Sequence, residues 1–324
     1  MPKDDDLNKE VDQIEKYGAK MIHLNHSLYP PLLKHVFNAP NVLLVKGNAS
    51  LLGGVNFSVV GSRTPAVTSI YFTKQIVSKL ANEGFSIVSG LATGIDAVAH
   101  TTALNSSSGT VAVIGNGLGY IYPKENKNLY SKIENENGVL VSEFKFGATP
   151  TPGRFPRRNA TIAGMSYGTL IVEARKNSGS LITARYASSF NREVYAVPGF
   201  PSDERYAGTN SLIKHNVAKM TTDIGDIMDD MRGILGLSVQ KVQEKSLYKE
   251  LDFEQEINDN FDYNAKSEDT KESLVNLLSS TPVTIEQLCY CMPAIPIKTI
   301  LIALLELEME NLVFRGFDGR LLKI

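Results

Sequence analysis

The residues with chemical reach gather in four short stretches rich in glycine and serine. They are Gly61-Ser62-Arg63-Thr64-Pro65, Ser89-Gly90-Leu91-Ala92-Thr93-Gly94-Ile95-Asp96, Gly115-Asn116-Gly117-Leu118-Gly119 and Glu173-Ala174-Arg175-Lys176-Asn177-Ser178-Gly179-Ser180. Small residues let an anion approach backbone N–H groups, so the chemistry such loops suit is phosphate binding. Arg63 adds a planar guanidinium that can hold a phosphate through two hydrogen bonds, and Lys124 and Lys176 add point charges. Charge counted by segment agrees. From Lys145 to Arg185, seven basic residues (Lys145, Arg154, Arg157, Arg158, Arg175, Lys176, Arg185) stand against one acidic residue, Glu173, a net of +6 in a chain whose formal charge is −2. A basic patch inside a near-neutral protein is what a polyanion needs, because affinity comes from the surface that touches it.

Other chemistries lack parts. A nicotinamide-dependent enzyme needs G-x-G-x-x-G straight after its first strand and an acidic residue about twenty positions on to hold the ribose. Gly115-Asn116-Gly117-Leu118-Gly119 has the wrong spacing, and Tyr120-Ile121-Tyr122-Pro123 behind it cannot open a helix promptly. No G-x-x-x-x-G-K-[ST] is present, so a P-loop is unsupported. Cys289 and Cys291, the only cysteines, are too few for a disulfide framework or a complete zinc site and read as inert thiols. His100 has no nucleophile or orienting partner beside it in sequence and reads as a helix-borne side chain packed on a sheet. Asp96 and Glu173 could form a carboxylate pair for acid/base work, but Asp96 lies where a loop opens a helix, and both read as caps and loop organisers. No catalytic group, metal ligand set or cofactor is expected.

The loops need a frame to bring them to one rim. From Phe57 onward, short β-branched runs alternate with longer stretches of helical periodicity, the pattern of a parallel sheet with crossover helices. Strands are expected at 57–60, 85–88, 110–114, 139–142, 169–172, 193–197 and 218–221, with a helix over 71–83 that stops at Gly84. The fold class is therefore α/β: a Rossmann-like, doubly wound, mostly parallel sheet over 57–235. In such sheets ligands sit outside the C-terminal ends of the strands, where these loops fall. Residues 1–20 read as a flexible N-terminal segment and 21–56 as a lead-in extension packed on the core. An acidic linker is expected over 236–270, since Gly236 to Glu272 holds five basic and ten acidic residues, a net of −5. Residues 271–324 suggest three helices and a terminal hairpin around Gly316 and Gly319, the winged-helix plan.

Hydrophobic residues at 43% and charged residues at 21% suffice for a packed core. No apolar run nears the roughly 18 residues of a membrane span, and the N-terminus is acidic where a signal peptide would be basic, so a cytosolic protein without a membrane partner is expected.

Taken together, Val59-Val60-Gly61-Ser62-Arg63, Ser89 through His100, Tyr122-Pro123, Ser142-Glu143, Phe155-Pro156-Arg157-Arg158-Asn159, Ile162-Ala163-Gly164, Val172-Glu173-Ala174, Ser178 through Ala184 and Val197-Pro198-Gly199 resemble the DprA/Smf family. These are DNA-processing proteins of bacterial natural transformation, and the likeness spans about residues 27–223. The resemblance implies a homodimer, without enzymatic activity, that binds single-stranded DNA in a pocket of the Rossmann-like domain and loads the RecA recombinase onto it. It assigns the pocket arginine to Arg63, the pocket lysine to Lys124 and the base-contacting aromatic to Phe155, with Gly61, Ser62, Arg157, Arg158 and Asn159 lining the same region. Cations around one aromatic on which a base can stack form a minimal single-strand site.

Three departures from the family pattern stand out. Arg158-Asn159-Ala160-Thr161-Ile162 replaces R-N-R-I-I, removing one basic contact. Leu212-Ile213-Lys214-His215-Asn216-Val217 departs from L-I-K-x-G-A at Asn216, and no full helical domain is expected before the lead-in. The alternative is enzymatic: Gly168-Thr169-Leu170-Ile171-Val172-Glu173 is similar to the G-T-x-x-E element of nucleotide phosphoribohydrolases of the lysine-decarboxylase-like group, although Met165-Ser166-Tyr167 stands where that group has P-G-G. The C-terminal unit is not expected to be the main DNA reader. From Ser273 to Ile324 it holds four basic and five acidic residues, a net of −1, and its candidate recognition helix runs from Lys298 into Ile300-Leu301-Ile302-Ala303-Leu304-Leu305 and then Glu306, Glu308 and Glu310.

Overall fold

The computed structural model describes residues 4–236 and 267–324, apart from residue 317. Its centre is a nine-stranded sheet in the order β1-β2-β6-β5-β4-β3-β7-β8-β9. The strands are β1 (Lys20–His23), β2 (Val42–Gly47), β3 (Asn56–Val60), β4 (Ser86–Ser89), β5 (Thr110–Val113), β6 (Gly138–Ser142), β7 (Gly168–Ile171), β8 (Glu193–Ala196) and β9 (Lys219–Met220). From β6 across to β9 every pairing is parallel, while β1 and β2 join antiparallel at one edge. The chain winds outward from β3 through β4, β5 and β6, then returns to place β7 on the other side of β3. That reversal is the topological switch point at which open α/β sheets bind their ligands.

Alternation along the strands sends side chains to opposite faces of the sheet. Val60, Val88, Val111 and Ile171 meet α5 (Arg154–Gly164) and α6 (Ser180–Ser189) on one face. Phe57, Val59, Ile87, Leu170 and Tyr195 meet α2 (Val67–Asn82), α3 (Ile95–Leu104) and α8 (Gly225–Leu235) on the other. A further cluster joins Leu44, Ala112 and Leu140 to α1 (Asp4–Tyr17) and α4 (Lys127–Asn135), while α7 (Ala207–Lys214) runs between β8 and β9. Two expectations are corrected. Within the segment expected to be flexible, Asp4–Tyr17 form α1, with Ile14 buried and Glu10 accepting the Phe146 N–H at 3.2 Å. The lead-in does more than pack on the core, because it supplies β1 and β2 and covers the sheet edge that β6 would expose.

Of the stretch expected to be an acidic linker, residues 237–266 lie outside the described residues, and a helix already begins at Ser267. The C-terminal unit comprises α9 (Ser267–Leu277), α10 (Ile285–Cys291), α11 (Ile297–Met309) and the antiparallel pair β10 (Val313–Arg315) and β11 (Leu321–Lys323). A capping box starts α10: Thr284 Oγ1 accepts the Gln287 N–H and the Gln287 side chain accepts the Thr284 N–H. The unit packs on α2, where Val67 enters its apolar cluster and Lys74 Nζ stands 3.6 Å from the Tyr290 ring centre. Arg205 anchors it further by donating to the Leu278 carbonyl at 2.6 Å, just past the end of α9. Burial pushes the Cys291 thiol up to about 11, so it is uncharged at neutral pH. Among the described residues no helix is long and apolar enough to cross a membrane.

His100 packs under the sheet as the sequence suggested. Its Nε2 accepts the Leu91 N–H at 3.2 Å, and Nδ1 lies 2.7 Å from Thr110 Oγ1, whose hydroxyl donates onward to the Ile87 carbonyl at 2.7 Å. Both ring nitrogens are therefore used by the neutral form, with Nδ1 carrying the proton. Burial, assisted by the nearby Arg158 charge, lowers its pKa to about 3. The unfolded chain takes up this proton near pH 6.5, whereas the native state refuses it until about pH 3. Stability from this group is thus full above pH 6.5 and is lost as pH falls toward 3. The stability difference between wild type and His100→Gln, measured by urea unfolding, should shrink on acidification by about 1.4 kcal/mol per pH unit below 6.5. A difference independent of pH would show that His100 is charged in the native state.

Candidate functional site

At the switch point the loops after β3 and β7 part and open a cavity of about 880 Å³, lined by Val60 to Thr64, by Asp96, by the inner face of α5 and by Arg175 to Ser180. The loop after β3 is tied to the start of α3, since the Ser62 carbonyl accepts the Ile95 N–H at 3.0 Å and Ser62 Oγ accepts the Thr64 N–H at 3.2 Å. The crossing is so close that a Cβ at Gly94, whose φ is +76°, would strike the Ser62 carbonyl, so glycine is required there by both backbone conformation and space. Opposite, Ser178, Gly179 and Ser180 bring the N-terminus of α6 to the cavity wall, where the helix dipole favours an anion.

The floor is built around Arg158. Only 6% exposed, it donates through Nη1 to the carbonyls of Gly90 and Val113, the latter at 3.0 Å, and through Nε to Asn159 Oδ1 at 3.0 Å. Those carbonyls belong to the ends of neighbouring strands β4 and β5, so one side chain clamps two loops. Asp96 supplies the opposing charge and accepts the Gly90 N–H at 3.1 Å. Burial raises the Asp96 pKa, a shift that Arg158 and the loop N–H groups oppose. Asn159, also buried, donates to the Gly179 carbonyl at 3.2 Å and so joins α5 to the α6 loop.

Phe155 sits above this floor, half-buried, with its ring 5.9 Å from that of Tyr122 and the guanidinium of Arg63 6.0 Å from its centre. The ring occupies space that glycine leaves: a Cβ at Gly115 would stand 2.8 Å from Phe155 Cδ1. Arg63 and Lys176 are exposed with Arg175 beside Lys176, so three cations and one aromatic line the same cavity. Such an arrangement can hold phosphates at the rim and an unpaired base on the ring.

The residues singled out from sequence do not all meet. Gly61, Ser62, Arg63, Phe155, Arg158, Asn159 and Lys176 line one cavity. Arg158 commits Nε and Nη1 to the frame, so it braces the floor that it lines. Arg157 turns to the other side of α5, where its Nε meets Glu143 Oε2 at 2.5 Å and it lines a second cavity. Lys124 is exposed one residue beyond Pro123, which borders a small adjoining recess shared by Tyr122, Arg63 and Phe155. Glu173 is 1% exposed and turned toward α2, its Oε2 accepting the Ala66 N–H at 2.9 Å and the Ser69 hydroxyl at 2.7 Å. Burial raises its pKa despite these donors. Two neighbours were not expected: Tyr122, known only as part of a motif, pairs its ring with Phe155 from the adjoining recess, and Glu204 brings an acid to the cavity from a segment whose path only the fold defines.

With this geometry in hand, the relatives can be placed. Residues 20–232 match the family model of DNA recombination-mediator protein A. Protein Smf of Synechocystis is 39% identical over 225 residues, a match covering 68% of this chain and 55% of that protein, so this chain spans little more than half of that relative's length. The DNA processing protein DprA of Streptococcus pneumoniae is 39% identical over 222 residues, covering 68% of this chain and 76% of that one. Its X-ray structure superposes with a TM-score of 0.66 over 71% of this chain and 78% of the other. The Helicobacter pylori DNA processing protein A, solved for its single-stranded DNA binding mode, superposes with a TM-score of 0.61 at 26% identity, covering 67% of this chain and 96% of its own. Sequence, sheet and switch-point loops agree: the chain belongs to the DNA recombination-mediator protein A family, that of the DprA and Smf proteins.

Proposed function

We propose that this chain binds single-stranded DNA at the switch-point cavity and acts as a recombination mediator that places RecA recombinase on the bound strand. The observation that carries the binding step is one cavity lined by the exposed cations Arg63, Arg175 and Lys176 and by the half-buried ring of Phe155, with Arg63 6.0 Å from that ring's centre. A base can stack on that ring only if it is free of its own pairing partner, and the rim offers loops in place of an element that could enter a major groove. The H. pylori relative supports the substrate class, and the family supports the mediator role. A homodimer, a winged-helix identity for the C-terminal unit and action in the cytosol complete the reading. The phosphoribohydrolase reading is disfavoured by Glu173, whose carboxylate caps α2 instead of facing the cavity.

Two measurements test this. Titration of the full chain with a labelled oligonucleotide should give at least tenfold tighter binding to a single strand than to a blunt duplex of the same length, about 1.4 kcal/mol; equal affinities would remove the stacked base from the account. In the second, the salt dependence of binding separates rim from frame. Arg63→Ala should flatten the slope of log K against log salt by about 0.7, the loss of one phosphate contact, while Arg157→Ala, facing the other cavity, should leave it unchanged. Phe155→Ala should cost ~1–3 kcal/mol with the slope intact. A slope altered by Arg157→Ala but not by Arg63→Ala would put the strand on the opposite side of α5.

A further inference from the structure

The segment from Asp203 to Gly208 touches three parts of the molecule at once. Its single helical turn, Glu204–Tyr206, is capped by Asp203, whose Oδ1 accepts the Arg205 N–H at 3.0 Å. Glu204 and Ala207 line the switch-point cavity. Arg205 reaches the C-terminal unit instead, donating through Nη2 to the Leu278 carbonyl at 2.6 Å and through Nη1 to the Asn276 carbonyl at 3.5 Å, where the last turn of α9 leaves acceptors without helical partners. Tyr206 is buried and places its hydroxyl 2.8 Å from Ser69 Oγ on α2. Gly208 then donates to the Ala174 carbonyl at 2.7 Å, and a Cβ there would stand 2.6 Å from that same oxygen. The segment therefore lies directly against the loop that carries Arg175 and Lys176.

Two features set this arrangement against a bound strand. Glu204 is an exposed carboxylate on a cavity otherwise suited to phosphates, and it makes no ion pair among the described residues. A phosphate arriving beside it meets like charge. The second feature is Asp203, which keeps Oδ1 3.4 Å from Arg205 Nε while its Oδ2 is buried with no hydrogen-bond partner among the described residues. A buried carboxylate oxygen left in that way disfavours the present placement of the segment, and it is the contact of Arg205 with α9 that opposes its release. We propose that the docked C-terminal unit restrains single-strand binding. Arg205, held by the end of α9, is a positioning residue that keeps Glu204 at the cavity, and a strand that enters displaces Glu204 and the Arg205 contact together. This rests on the reading of that cavity as the single-strand site. The two states differ in defined contacts: Arg205 on α9 with Glu204 at the cavity in one, and neither in the other. Because coupling between two binding events is reciprocal, loosening the dock tightens the strand, and the strand loosens the dock.

Titration of the full chain with a labelled single-stranded oligonucleotide reads one direction of the coupling. Glu204→Gln, at an exposed position, should bind about tenfold tighter. Arg205→Ala is the sharper variant, since loss of a cation near a polyanion site ordinarily weakens binding, whereas release of Glu204 should tighten it about fivefold. The double variant should bind no more tightly than Glu204→Gln alone, because both substitutions remove one coupling. The other direction is read at Cys291, partly buried in the C-terminal unit with Lys74 of α2 nearby. In a Cys289→Ser background its alkylation should quicken about fivefold when the chain is saturated with oligonucleotide, and should be equally fast without oligonucleotide once Arg205→Ala is added. Arg63→Ala separates this proposal from the reading beneath it. Weaker binding by Arg63→Ala, with affinity unchanged or lowered in Glu204→Gln and Arg205→Ala, would leave the strand in the cavity and overturn the restraint. Alkylation of Cys291 that the strand leaves unchanged or slows would overturn it too. Binding indifferent to Arg63→Ala would remove the strand from the cavity, and the restraint with it.

Discussion

Arg158 lies in the middle of the molecule with its guanidinium donating to the carbonyls that end two neighbouring strands and facing the buried carboxylate of Asp96. A charge so deep is tolerated only when its donors are satisfied and an opposing charge is at hand. Here the loops that make the cavity accept from Nη1 twice, and Gly90 provides both a carbonyl to Arg158 and an N–H to Asp96. The loops after β4 and β5 are thus not independently flexible turns; they are held to α5 by one side chain. Because Phe155 rides on the same helix a turn earlier, the position of the aromatic is set by the same clamp that sets the floor.

From that constraint the division of labour follows. Interior charges keep the frame: Arg158 and Asp96 on the floor, and Glu173 at the start of α2, joined through Ser69 to Tyr206 at 2.8 Å. The exposed charges Arg63, Arg175 and Lys176 line the cavity, and the proposed function assigns them to the phosphates of the strand. The loop that carries Tyr206 also carries Glu204 on the cavity rim and Arg205 at the end of α9, so a short stretch of chain touches the cavity, the core and the C-terminal unit at once.

Much of this was legible in the sequence, for physical reasons. Parallel strands buried on both faces read as β-branched runs, and Gly-Ser loops behind them mark the rim, so β3 to β8 and the four loops could be placed from pattern alone. The antiparallel edge could not. Val42 to Val45 is as apolar as a buried helical turn, and nothing local sets the direction in which Lys20–His23 pairs with it. The helix α1 is polar along most of its length and is held by contacts remote in sequence, Ile14 in a core cluster and Glu10 at the Phe146 N–H. Arg157 and Arg158 show the limit most clearly. They are adjacent letters in one motif, yet a helix turns about 100° between them, which puts one in the frame of the first cavity and the other in the wall of the second. Only the phase of α5 against the sheet, set by Ile162 and Ala163 in the core, separates their roles.

In the proposed function a single strand lies in the switch-point cavity with a base on Phe155. Ultraviolet crosslinking of the full chain to an oligonucleotide bearing photoreactive pyrimidines, followed by mass spectrometric mapping of the modified peptides, addresses it without any substitution. Modification should concentrate on the peptide that contains Phe155 and on the Tyr122 loop beside it, and should be lost when unlabelled single strand competes. Crosslinks concentrated instead on α11 or on the β10–β11 pair, with the Phe155 peptide unmodified, would contradict it.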